Sequence, residues 1–225
     1  IDRKNVEQVF AEYVENYDSK EEKVRLKIEH TYRVAALCEQ IARSAGCTEY
    51  EVELAWLTGM LHDVGRFEQL RNFGTFIDAE SIDHAAYGAD ILFVEGKIRD
   101  YIESDEEDEL IENAVRFHSA YRLPESFDER TEKFGNILRD ADKIDILKVN
   151  VDFPLEEIYN VTTEELRNAE VTKEVMESLQ ERHATLRSLK KTSVDHVVGH
   201  ISLVFELVYA ESLRVVKAQG YLERL

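Results

Sequence analysis

The chain has 225 residues, 44% of them apolar, which suits one large domain with a sizeable core and is marginal for two. Its 47 acidic against 28 basic residues give a formal charge of −19, a surface that repels polyphosphate backbones and argues against long nucleic acid as a partner. Two prolines, Pro124 and Pro154, and nine glycines are too few breaks for many short strands, so the composition favours long helices and an all-α fold.

In chain order, residues 5–17 predict a short amphipathic helix with Val6, Val9, Phe10, Tyr13 and Val14 on one face. Ser19 followed by Glu22 resembles a capping box, opening a helix to about Ala45 that Gly46 closes. Thr48 caps the next helix, 49–62, whose apolar run "LAWLTGML" stops at the polar pair His62–Asp63. Residues 66–82 read as an irregular loop holding Phe67, Phe73 and Phe76, packing residues first and candidates to stack a nucleobase second. A helix follows at about 83–95, and the acidic "ESDEEDE" is the solvated start of another at 107–119. Further helices are expected at 129–148, 154–168 and 172–187, with a long one at 193–218. No repeat or low-complexity linker interrupts them.

No apolar run reaches the length of a membrane span, since "VVGHISLVFELVYA" is broken by His200 and Glu206. Cys38 and Cys47 read as reduced thiols, and with no signal peptide in view the expected location is cytoplasmic. Oligomeric state is not legible.

Helical spacing aims several metal-capable side chains at apolar faces. His30 precedes Val34, Leu37 and Ile41; His62 follows Ala55 and Thr58; Asp63 follows Gly59. His84 precedes Gly88 and Ile91; His118 follows Ile111, Ala114 and Val115; Asp142 follows Leu138. Periodicity alone does not separate ligands from ordinary core histidines, because His183 and His200 pass the same test and His196 passes it loosely. The carboxylates weigh more. Asp63 and Asp142 on inward faces require countercharge, and a metal ion is its most compact source. The one-turn pair His196/His200 is a rival, but Val197 stands where a zinc-protease helix carries its glutamate, so the pair reads as structural or pocket-lining.

"KIEHTYRV", "GMLHDVGRF" and "LRDADKIDIL", in that order, resemble the HD superfamily of metal-dependent phosphohydrolases, named for its adjacent His–Asp doublet. The interposed "DHAAYGADIL" and "AVRFHSAYRLP" resemble the extra histidine motifs of its two-metal branch. The resemblance implies a single all-α domain over 1–225, an HD helical bundle with its core at about 20–150 and a helical cap or extension at about 150–225. It implies one metal held by His30, His62, Asp63 and Asp142, with Asp63 bridging to a second held by His84 and His118. Asp63 would end its helix to reach a shared ion cluster, and Gly65 would free the chain to turn away.

Four imidazoles and two carboxylates are too nitrogen-rich for calcium or magnesium and suit iron, manganese, zinc, cobalt or nickel, as one or two divalent ions. Their surplus charge would let an acidic chain hold a phosphate. The expected reaction is cleavage of a small-molecule phosphoester, a nucleotide first, by metal-activated hydroxide. Asp63 is then catalytic, together with Arg66 and Lys143, which would also bind the substrate phosphate; Arg122 is a further substrate-binding candidate. The family often has lysine in place of Arg66. Two alternatives stay open: a di-iron oxygenase of the HD type acting on a small polar substrate, and a binding module with a degenerate site.

Overall fold

A computed structural model describes residues 1–225, and the all-α expectation holds: helices and no strand. The elements are α1 (Arg3–Val14), α2 (Glu22–Ser44), α3 (Glu49–Leu61), α4 (Val64–Phe73), α5 (His84–Ala89), α6 (Ile98–Tyr101), α7 (Asp108–Phe117) and α8 (Glu129–Asp152). They continue with α9 (Leu155–Tyr159), α10 (Thr163–Asn168), α11 (Lys173–Gln180), α12 (Ser193–Ser202) and α13 (Ala210–Gln219). No helix is long and apolar enough to cross a membrane. The chain gathers into two compact units, 1–141 and 142–225, and the boundary falls within α8.

The first unit is built around α2 and α3. Gly59 makes their close approach possible, since a Cβ there would sit 2.6 Å from the Cα of Ala35. Val34, Ala35, Cys38 and Ile41 of α2 and Ala55, Leu57, Met60 and Leu61 of α3 are all fully buried between their neighbours. Burial of this kind contributes about 1.5–3 kcal/mol per large side chain. Thr48 caps α3 as expected, with Glu51 completing the box. The box expected from Ser19 and Glu22 does not form: Glu21 occupies the cap position of α2 without a side-chain bond, and Asp18 turns the chain instead, accepting from the Lys20 N–H at 2.9 Å.

Residues 66–82 are not one loop. α4 runs from Val64 to Phe73 and stops at Gly74, whose φ of +68° is the left-handed conformation that ends a helix. Phe67 anchors α4 in a cluster of edge-on rings with Phe10 and Tyr13, 6.0 and 5.9 Å between centroids, while Tyr13 Oη donates to the Val64 carbonyl at 2.8 Å. Gly65 does not turn the chain away; it is helical and lies where α4 meets α5. A Cβ on it would come within 2.3 Å of the His84 carbonyl and 2.6 Å of the Gly88 nitrogen. The helix expected at 83–95 is α5 followed by a π-helical turn, Asp90–Val94.

In the second unit the pieces are shorter than the pattern suggests. The span 154–168 divides into α9 and α10, separated at Asn160, which has a φ of +52°. Only 173–180 of the helix expected at 172–187 forms as α11. The long helix at 193–218 is broken too: α12 ends at Ser202, a 3-10 turn covers Leu203–Glu206, and α13 starts afresh at Ala210. Glu206 supplies a tertiary reason, accepting at its carboxylate from the Ala184 N–H and at its carbonyl from Lys143 Nζ, both at 3.3 Å. The start of α12 is fixed by Asp195, fully buried, which accepts from the N–H groups of Thr172, Lys191 and Thr192 at 2.8–2.9 Å and from the Thr172 hydroxyl at 2.6 Å.

Candidate metal centre

In the first unit, α2, α3, α5 and α7 each bring one histidine to a common point, and three of the four sit at helix ends. His30 lies within α2. His62 and His118 occupy the C-terminal caps of α3 and α7, and His84 is the first residue of α5, whose N-terminus Asp83 caps by accepting from the Ala85 and Ala86 N–H groups. All four rings are buried. The cap positions also aim two of them. The last carbonyls of a helix have no partner within it; Nδ1 of His62 donates to the Gly59 carbonyl and Nδ1 of His118 to that of Val115, each at 2.7 Å.

That bond fixes the tautomer. A carbonyl only accepts, so Nδ1 carries a proton, and in the neutral ring it is Nε2 that holds the free lone pair. His84 reaches the same state by another route, donating from Nδ1 to the Asp78 carboxylate at 2.8 Å. Asp78 is ionised: burial favours its neutral form, but the bond from His84 and the Arg66 charge hold it well below the usual carboxylate range. Burial first, then the Arg66 charge, push His84 down to about 3, with Asp78 opposing. The ring is therefore neutral at neutral pH.

The four Nε2 atoms face one another in pairs. His84 Nε2 lies 3.1 Å from His118 Nε2, and His62 Nε2 lies 3.2 Å from His30 Nε2. Two lone pairs at that distance repel unless a cation lies between them. Two nitrogens bound to one ion at the usual 2.0–2.1 Å are about 3.0–3.4 Å apart, so both pairs fit a metal. Asp63 divides its carboxylate between the pairs. Its Oδ2 is 3.5 Å from Nε2 of both His30 and His62, and its Oδ1 is 3.5 Å from His84 Nε2 and 3.7 Å from His118 Nε2. His30, His62 and Asp63 form one group that can hold a metal ion, and Asp63, His84 and His118 another; Asp78, Asp83 and His84 make a third, more exposed group.

Asp63 is ionised despite full burial. Burial pushes its pKa up, but the Lys27 charge first, with the imidazoles of His62, His118 and His84 around it, outweighs this and holds it well below the usual range. Lys27 Nζ bonds Asp63 Oδ2 at 2.7 Å. Around this core runs an outer ring of polar contacts. Arg66 Nη1 donates to Asp78 Oδ1 at 2.8 Å, the Phe76 carbonyl at 2.7 Å and Gln69 Oε1 at 2.6 Å. Gln69, fully buried, donates in turn to Asp78, Ser81 and the Ile82 carbonyl. Arg66 Nε is buried 3.7 Å from Asp63 Oδ1 with no hydrogen-bond acceptor.

Five of the six expected ligands thus meet. The sixth, Asp142, is the first residue of the second unit, so its assignment rests on the sequence motif. Lys143 is in the same unit, and Arg122 is exposed, with its guanidinium 4.9 Å from the Tyr121 ring centre. Of the aromatic residues weighed as a nucleobase platform, Phe67 is core, Phe73 is half exposed, and Phe76 lies against the cations of Lys27 and Arg66, 5.3 and 5.8 Å from its ring centre. Sequence reasoning missed Lys27, Gln69 and Asp78. Lys27 carried a usable signal, one turn before Thr31 and three residues before His30 on the buried face of α2.

An all-helical bundle in which histidines from four helices share one buried aspartate defines a metal-binding class of protein. The model of the HD domain matches residues 28–147, more than half of the chain. The chain belongs to the HD superfamily of metal-dependent phosphohydrolases. Among curated proteins and among solved structures, none matches it.

Proposed function

We propose that the protein is a phosphohydrolase that cleaves a phosphoester of a small molecule, a nucleotide first among the candidates, at a two-ion centre. The single observation that carries this reading is Asp63 dividing its oxygens between two imidazole pairs whose Nε2 atoms are 3.1 and 3.2 Å apart. His30, His62 and Asp63, joined by Asp142, would hold one ion, and Asp63, His84 and His118 the other. The imidazole-rich donor set selects iron, manganese, zinc, cobalt or nickel. When bound, such ions supply a water that ionises near neutral pH and positive charge to offset that of the phosphate.

The chain's own residues do the rest. The helix-end carbonyls of Gly59 and Val115 and the Asp78 carboxylate hold three imidazoles through Nδ1 and aim their Nε2 atoms inward. Arg66 has two tasks. Its Nη1 positions Asp78, and its Nε, buried without an acceptor, is the donor we assign to a substrate phosphate oxygen. Lys143 and Arg122 are assigned to the same substrate's remaining negative charge, since ammonium and guanidinium groups make strong charge-assisted bonds to phosphate.

The test is elemental analysis of the purified protein with a phosphoester panel run under argon and in air. The expected outcome is bound transition metal and phosphate release that persists without oxygen. Asp63→Ala should lose the metal and lower turnover by about a thousandfold or more, the scale on which metal-activated water departs from bulk water. Turnover that requires oxygen would replace hydrolysis with oxidative chemistry, and full turnover by Asp63→Ala would refute the site.

A further inference from the structure

The first unit has a cavity that the proposed reaction does not use. It measures about 670 Å³, within the ~300–1,000 Å³ range of small-molecule sites, and lies between α1, α4, α5, the π-helical turn and α6. Val64, Glu68 and Arg71 line it from one face of α4, whereas Arg66 and Gln69 hold Asp78 on another side of that helix. None of the histidines or aspartates of the metal centre lines the cavity. Four tyrosines do: Tyr13, Tyr17, Tyr87 and Tyr101. Burial pushes all four phenols up, so each is a neutral hydroxyl.

Two of the hydroxyls are committed and two are not. Tyr13 donates to the Val64 carbonyl at 2.8 Å; Tyr17 donates to Glu68 at 2.6 Å and, more weakly, to Tyr13 at 3.1 Å. Tyr101 is only 4% exposed, yet its hydroxyl has no hydrogen-bond partner, and neither has that of half-buried Tyr87. Both lie within electrostatic reach of the Tyr13 hydroxyl, so the four oxygens gather around it. A buried polar group without a partner is costly, and the Tyr101 oxygen calls for one. The charge of the lining says which. Glu12, Glu68, Glu95 and Asp100 stand against Arg71 and Lys97. Arg71 pairs with Glu68 at 2.6 Å and Lys97 with Asp100 at 3.7 Å, which leaves Glu12 and Glu95 without a cation. That surplus repels an anion and draws a cation. The rings already seat one, since the Arg71 guanidinium lies 5.3 Å from the Tyr17 ring centre, and a ligand cation gains from such faces in the same way.

We propose that this cavity binds a small organic ammonium, a primary amine carried on an apolar body. The phenol oxygens of Tyr87 and Tyr101 accept its N–H groups, and the tyrosine rings cover the apolar part. Glu95, whose charge acts on Tyr87, supplies the countercharge.

Calorimetric titration of 2-phenylethylamine into the full chain tests this, with 2-phenylethanol and phenylacetate as neutral and anionic counterparts and with chelator-treated protein in parallel. The amine is expected to bind saturably, both counterparts about tenfold more weakly or worse, and chelation to change the amine affinity by less than about twofold. Tyr101→Phe keeps the ring and breaks no native hydrogen bond. It should weaken the amine by about tenfold or more, the range for losing one hydrogen bond to a charged group. Should Tyr101→Phe fail to fold by circular dichroism, Tyr87→Phe is read instead, with a loss of about fivefold or more. Wild-type affinity in the variant that is read, alcohol or acid binding as well as the amine, no saturable binding of the amine, or loss of binding on chelation would each overturn the proposal. Because turnover is not measured, failure of the hydrolase reading would leave this result standing.

Discussion

Asp78 sets the state of His84. By accepting from Nδ1 it leaves Nε2 bare, and by its negative charge it makes that nitrogen a better donor. Removing such a partner typically costs about ten- to a hundredfold in metal affinity. Asp78→Ala should show that loss in competition against a chelator, whereas Asp78→Asn, which can still accept through its amide oxygen, should lose less. The residues that the sequence reveals and those it hides divide along this line. His30, His62, His84 and His118 lie in or at the ends of helices whose apolar spacing marks an inward face, and Asp63 stands beside one of them. Asp78 opens a single 3-10 turn, Asp78–Glu80, and its partners Arg66 and His84 are joined to it by the fold, not by any period.

Between elements, the decisive contact is Gly65 of α4 against Gly88 of α5. Gly65→Ala would drive a methyl group into the His84 carbonyl and the Gly88 nitrogen, both backbone atoms that cannot swing aside. Overpacking of this kind costs about 1–3 kcal/mol, and a domain of this size melts roughly 2–4 °C lower per kcal/mol. A scan of Gly65→Ala should therefore show a fall of several degrees. Because the shift moves His84, weaker metal binding should accompany it. Helix positions were largely readable, and two of the departures have plain physical causes. The segment after Asp63 lacks a strong apolar stripe and is dense in phenylalanine, so it reads as a loop although Phe67 and Leu70 bury one face of α4. The run at 193–218 keeps its period across the break, and the bonds that Glu206 makes to distant residues leave no trace in local spacing.

For the whole molecule, the charge of −19 and the carboxylates of both units pull stability in opposite directions as pH falls. Protonating surface acids first relieves self-repulsion. Below that, the native carboxylates with depressed pKa dominate. Asp195 is held down to about 2; burial opposes this, but the bonds from Thr172, Lys191 and Thr192 prevail. An unfolded aspartate titrates near ~3.9. The unfolded chain therefore takes the proton first, so the contribution of Asp195 is complete above ~4 and is lost as pH falls toward ~2. Denaturant titrations across pH should place the stability maximum on the mildly acidic side of neutrality. Asp195→Asn should be less stable at neutral pH and show a shallower acid limb.

The imidazoles of His62 and His118 are each tethered to the carbonyl of a residue three positions earlier in their own chain segment. Their aim is thus a property of the polypeptide alone. An ion entering such a site would meet a vessel already shaped, so stripping and reloading metal should leave the helical circular dichroism of the chain unchanged.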